Sequence, residues 1–227
     1  MRRYISELVG TFVFVLIGCG SIVFGRDSVG VVGEAVAFGF AFIAMAYAIG
    51  NISGCHINPA VSLAMYMTNK ISLRDFFCYV ASQFIGGVLA TGILVSMITL
   101  SDLGPLQEIG LAQNGYAEAS SVGLGFLGAL LMEFVLTFVY VIATLGVLSY
   151  DRTSHLGGIV IGFTLIGIYI VSIPLTGGSI NPARSLASAV YLGGTSLRQV
   201  WLFIIASFAG AAGAAVFWTF VTKELTL

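Results

Sequence analysis

Ile-Asn-Pro-Ala occurs twice in this chain, in "GCHINPAVS" (54–62) and in "GGSINPARS" (177–185), and an arginine follows only the second copy. Asparagine is a favoured helix N-cap, and proline at the first helical position has no N–H to leave unpaired. Each copy therefore reads as a helix start that presents a side-chain amide, at Asn58-Pro59-Ala60 and at Asn181-Pro182-Ala183. A helix N-terminus carries about half a positive charge. Two of them aimed at one point would repel cations. Amide donors on Asn58 and Asn181 could hold one water so that its hydrogens point outward, which opposes proton hopping along a water file, the helix dipoles being the larger effect. Asn-Pro is also a common turn dipeptide, so a single copy would mean little. Two copies at matching points of a repeat mean much more.

Arg184 lies three residues after Asn181, on the same helical face and about one turn deeper, and Val61 holds the matching place after the first copy. A charge at membrane depth is costly and by default functional. Here it would donate to passing neutral solutes and repel cations on one side only. The competing reading is an arginine snorkelling to the interface. Glu7 and Glu133 also fall inside apolar runs. They are either a proton-relay pair or acceptors for backbone N–H groups of linking loops, and the second reading is preferred. His56 is expected to tie down its loop while the loop's carbonyls face a pore. Cys55, three before Asn58 as Gly178 is before Asn181, is expected near the inner part of that pore, or else is a small buried thiol.

The elements that position these residues follow from composition. Of 227 residues, 58% are apolar, 8% are charged, and the mean hydropathy is +1.04. Soluble domains carry about 25% charge, so this is a membrane composition. The net charge of −1 gives no argument for nucleic acid. Three cysteines and two histidines form no CxxC or Cys/His cluster, so no disulfide framework, metal site or cofactor is expected. No Ser/His/Asp set favours an enzyme.

A spanning helix needs about 20 apolar residues. Six segments qualify: Tyr4–Phe24, Glu34–Gly50, Phe76–Leu100, Val122–Leu148, Leu156–Pro174 and Trp201–Val221. Glu34 is expected at a wet outer edge. Met1-Arg2-Arg3 before an apolar run resembles a signal peptide, but Glu7 interrupts that run early. Arginine and lysine orient the chain. With the N-terminus inside, Arg2, Arg3, Lys70, Arg74, Arg152 and Lys223 lie inside, and Arg26 and Arg198 outside. Both termini are then cytoplasmic in a multi-pass protein of the plasma membrane.

The sequence also repeats at a shift of about 123 residues, pairing Glu7 with Glu133, Thr11 with Thr137, Gly39 with Gly162 and the two INPA copies; "SQFIGGVLA" meets "ASFAGAAGA" at 124. The halves, about 1–100 and 122–227, are joined by an outer connection at 101–121 within one channel domain. Three spans per half is an odd number, so the halves are inverted, an architecture used for transport. The runs "AVSLAMYM" and "ARSLASAVYL" after the INPA copies are too short to cross and suit re-entrant half-helices. The expected fold is an all-α membrane protein: six transmembrane helices and two half-helices in an inverted repeat.

Two NPA copies in inverted halves, with "SGCHINPAV", "SIPLTGGSINPARS" and "QNGYAE", resemble the major intrinsic protein family of aquaporins and glycerol facilitators, and the bacterial aquaporin Z branch within it. The resemblance spans essentially the whole chain. It implies a pore in each subunit of a homotetramer embedded in the lipid bilayer. It also implies an outer filter at Phe38, Tyr169, Gly178 and Arg184. Water channels of this branch usually carry histidine where Tyr169 stands, and facilitators an aromatic where Gly178 stands, so this filter matches neither pattern. Ser185 after the arginine resembles the water type. Phe38 and Tyr169 should narrow the opening and Gly178 should widen it. The resemblance implies a passive channel for water that excludes ions and protons and leaks small neutral solutes such as glycerol. The alternative is a facilitator for glycerol or other small neutral solutes, and a proton-coupled transporter through Glu7 and Glu133 ranks behind it.

Overall fold

A computed structural model describes residues 1–149 and 155–222, with the side chains of residues 26 and 27 left undescribed. Arg152 and Lys223, and the side chain of Arg26, lie outside what is described. Six helices are long and apolar enough to cross a membrane. They are α1 (Arg2–Gly25), α2 (Ser28–Ser53), α4 (Leu73–Thr99), α5 (Phe126–Leu148), α6 (Gly157–Thr176) and α8 (Gly194–Thr222). Among the shorter helices between them, α3 (Pro59–Met67) and α7 (Pro182–Leu192) follow the two INPA copies. Nine and eleven residues are too few to span about 30 Å of hydrocarbon, so each goes in and turns back.

Several boundaries differ from the sequence expectation: α2 begins at Ser28 instead of Glu34, and the starts of α8 and α5 differ for identifiable reasons. α8 begins at Gly194 instead of Trp201, because Gly193 alone separates it from α7. The polar turn so added is held by Gln199, which accepts from Tyr116 N (2.9 Å) and donates to Tyr116 O (3.2 Å). α5 begins at Phe126, after a loop whose Ser120 and Ser121 hydroxyls donate to Leu175 O and Pro174 O.

The inverted repeat is visible in the packing. Gly39 on α2 and Gly162 on α6 cross so closely that a Cβ on either would strike the other's carbonyl oxygen. Small residues permit this approach in lipid, where close packing replaces the hydrophobic effect as the drive for association. α4 crosses α1 at Gly86, and α8 crosses α5 at the matching Gly210. Each half-helix packs on the third span of both halves: α3 chiefly on α8 and also on α4, α7 on α4 and on α8. At the face bearing the N-terminus, Arg3 and Tyr4 bind Asp75 at the start of α4 (3.0 and 2.8 Å). Each half-helix is therefore held between elements of both halves.

Candidate functional site

The centre is built by the two asparagines. Each is an extended N-cap whose Oδ1 accepts from its own half-helix: Asn58 from Ala60 N at 2.8 Å, Asn181 from Ala183 N at 3.0 Å and Arg184 N at 3.3 Å. With Oδ1 so engaged, each Nδ2 points away from its helix toward the other half. Asn58 donates to Ile180 O (2.8 Å) and Asn181 to Ile57 O (3.0 Å). The two N-termini thus meet through a reciprocal pair of bonds. The sequence predicts that each asparagine presents one amide donor at the centre. One N–H of each is committed to the opposite link, and one remains.

The links 54–57 and 177–180 need unusual backbone. Gly54, Cys55 and Ile57 have positive φ, as do Gly177, Gly178 and Ile180. A β-branched residue in that region is strained, and Ile57 and Ile180 are strained at matching places. The buried acids hold this conformation. Glu7 accepts from His56 N (2.9 Å), Ile57 N (2.6 Å) and Gln83 Nε2 (2.7 Å). Glu133 accepts from Ser179 N (3.2 Å), Ile180 N (2.8 Å) and the Thr176 hydroxyl (2.6 Å). The described residues contain no cis peptide, and a trans peptide points its carbonyl opposite to its N–H. The carbonyls of Cys55 and His56, and of Gly178 and Ser179, are therefore turned away from the acids. Both glutamates are wholly buried and every carboxyl oxygen accepts at least one bond, two of the donors to each acid being link N–H groups, an arrangement suited to aiming carbonyls and not to relaying protons. His56 Nδ1 pairs with Ser62 Oγ (3.1 Å), and its ring packs edge-on to Tyr79.

A cavity of about 510 Å³ opens on the N-terminal face, lined by Phe42, Ala46, Gly54, Cys55, His155 and Ile161. Cys55 is on its wall.

Toward the other face, Phe38 and Tyr169 stack with ring centres 4.0 Å apart and planes 9° apart, and the Arg184 guanidinium carbon lies 5.7 Å from the Phe38 centre. All three are wholly buried. Gly178 lies beside them, but it does not widen the opening. A Cβ there would come within 2.8 Å of Tyr169 Cδ1, so the tyrosine ring occupies the space that glycine leaves. Glu34 is buried and does not face water at a helix edge. It lies one turn before Phe38 on α2, and so on the same inward face.

Arg184 NH1 donates to Asn114 Oδ1 (2.7 Å) and NH2 to Gly177 O (2.8 Å). Among the described residues, Arg184 Nε and Ser172 Oγ are buried with no hydrogen-bond partner. Asn114 and Ser172 escaped the sequence reading, as did Gln83 and Thr176. "QNGYAE" was a legible signal for Asn114, and Gln83 stands out as an amide in an apolar run; Ser172 and Thr176 gave no signal. Removing an acceptor from a buried charge costs about 1.5–3 kcal/mol. Asn114→Ala should therefore lower the unfolding midpoint in detergent by several degrees, whereas Asn114→Asp, which keeps an acceptor, should not.

The sequence profile of the major intrinsic protein family matches residues 1–218. Aquaporin Z of Rhodopseudomonas palustris is 34% identical over 229 residues, covering 99% of this chain and 95% of the relative. Aquaporin Z of Brucella melitensis is 38% identical over 222 residues, covering 96% of each. Among solved structures, the aquaglyceroporin from Plasmodium falciparum superposes with a TM-score of 0.83 at 22% identity, covering 99% of this chain and 97% of that one. At that identity the likeness speaks for the fold.

Proposed function

The chain belongs to the major intrinsic protein family, and on that premise we propose that it is a passive transmembrane channel for water. The observation that carries this reading is the head-to-head meeting of α3 and α7 through the Asn58–Ile180 and Asn181–Ile57 bonds. Two positive helix ends at one point repel cations. The carbonyls turned from Glu7 and Glu133 offer acceptors along the path, and the remaining asparagine N–H groups offer donors at its centre. Water satisfies both sets, and an ion cannot.

In this reading Asn58, Pro59, Ala60, Asn181, Pro182 and Ala183 form the central constriction. Phe38, Tyr169, Gly178 and Arg184 form the outer filter. Cys55 and His56 belong to the inner link, with Cys55 lining the inner vestibule. Arg184 Nε and Ser172 Oγ await permeating water. Glycerol and other small uncharged solutes pass more slowly, limited by the stacked rings. The halves correspond to 1–100 and 122–227, joined by an outer loop at 101–121. The termini are cytoplasmic, the host is the plasma membrane, and the family resemblance supports a homotetramer with a pore in each subunit.

Stopped-flow light scattering on proteoliposomes tests this. An impermeant osmolyte should drive much faster shrinkage than in protein-free vesicles, with no change in an enclosed proton-sensitive dye. Shrinkage at the protein-free rate, or flux that carries protons, would overturn it. Replacing Asn58 and Asn181 together by alanine removes the caps and both central donors, at about 1 kcal/mol per cap. Proton leak should rise a few-fold while the helix dipoles keep most of the exclusion. If water flux and proton tightness both stay at wild-type values, the asparagines have no part in it.

A further inference from the structure

The two halves hold their re-entrant links with the same acid but not with the same helper. In the first half Gln83, wholly buried on α4, donates Nε2 to Glu7 Oε2 at 2.7 Å and to Ser62 Oγ at 2.9 Å. The register of α4 on α1 recurs in α8 on α5. A Cβ on Gly86 would strike Leu8 O and Phe12 N, and one on Gly210 would strike the counterparts Phe134 O and Phe138 N. Ser207, three residues before Gly210, therefore stands where Gln83 stands before Gly86, and Ser185 stands where Ser62 stands.

Serine is three heavy atoms shorter than glutamine and cannot bridge the same gap. Its Oγ has no partner although the residue is wholly buried, and the same is true of Thr137 Oγ1, one turn along α5 from Glu133. The counterpart Thr11 donates back to Glu7 O at 2.8 Å, a bond that Thr137 does not make. Among the described residues, Glu133 Oε2 accepts only from Ile180 N, where Glu7 Oε2 accepts from both Ile57 N and Gln83 Nε2. By that shared register, the two hydroxyls and the carboxyl oxygen with a single donor belong to the place where the first half puts an amide.

We propose that Ser207, Thr137 and Glu133 enclose a site for one buried water molecule, which takes the place of the Gln83 amide. A polar gap with two to four hydrogen-bonding partners is what a structural water occupies. This water lies behind α7, away from the permeation path, and ties α8 to the acid that orients Ser179 and Ile180. The site does not depend on what the channel conducts.

A high-resolution structure of the full chain tests it directly. Density for an ordered water should appear within hydrogen-bonding distance of Ser207 Oγ and Thr137 Oγ1. In Ser207→Gln the amide should replace that density, with an unfolding midpoint in detergent at or above wild type. Ser207→Val should lower the midpoint by a few degrees. A dry gap, with both hydroxyls bonded to helix carbonyls, would overturn the proposal, and so would a Ser207→Val variant as stable as wild type.

Discussion

Tyr169→Ala should convert the outer filter from a narrow passage into one that admits glycerol and urea. The ring lies flat against Phe38 at 4.0 Å and fills the space beside Gly178. Removing it leaves glycine on one side and alanine on the other, with Phe38 alone to narrow the path. A barrier lowered by about 1.4 kcal/mol is a tenfold rise in rate, and loss of a whole aromatic ring from the proposed filter should reach that. Swelling of proteoliposomes in glycerol should therefore quicken by about ten-fold or more, while water flux holds or rises. Stability should also fall, the stacked pair contributing about 0.5–1.5 kcal/mol beyond the loss of the ring's own burial. Glycerol flux unchanged from wild type would remove Tyr169 from the filter. The reverse experiment is Gly178→Ala. Gly178 has φ +65°, and its new Cβ would meet both Tyr169 and Ser172. A left-handed alanine costs about 1–2 kcal/mol before any contact is counted. The variant should be less stable, and its water flux should fall as the ring is pushed into the path.

Glu7→Leu should be the most damaging single change to the fold. It strips the acceptor from His56 N, Ile57 N and Gln83 Nε2 at once, all of them buried. Each donor left unpaired costs about 1–3 kcal/mol, and the total approaches the whole stability of an ordinary domain, about 5–15 kcal/mol. The link 54–57 would also lose what holds Cys55 and Ile57 at positive φ. The expected result is loss of monodisperse protein on size exclusion, or an unfolding midpoint lowered by ten degrees or more. Glu133→Leu should act in the same way on the other half through Ser179, Ile180 and Thr176. Wild-type stability with normal water flux in Glu7→Leu would show that the acid does not hold the link, and would return it to consideration as a proton carrier.

Much of this was legible because its causes are local. Six apolar runs of sufficient length cross the membrane wherever they are placed, since lipid accepts no unsatisfied backbone. Asn58-Pro59 and Asn181-Pro182 start helices because capping chemistry acts within three residues. The odd number of spans per half fixes the inversion by counting alone. The pairing of Gly39 with Gly162 was read from alignment and reappears as a physical crossing.

What misled was distance along the chain. Gly178 suggested space by its size, but whether space is empty depends on Tyr169, nine residues and one helix away. Glu34 suggested water by its charge, but its place on the inward face of α2 buries it. Asn114 sits in a loop with nothing local to mark its partner, and Arg184 reaches it only across the fold.

The sequence by itself determined the membrane class, the six spans, the two half-helices and the inverted pairing of the halves, because hydropathy, caps and repeat order are carried by neighbouring residues. Only the tertiary structure decided that each asparagine reaches the other half's carbonyl, that the acids turn the link carbonyls away from themselves, that Tyr169 fills the space at Gly178, and that Gln83 has no equal at Ser207. Each of these is a distance of a few ångströms between residues that are far apart in sequence or on different helices, and no local pattern encodes it.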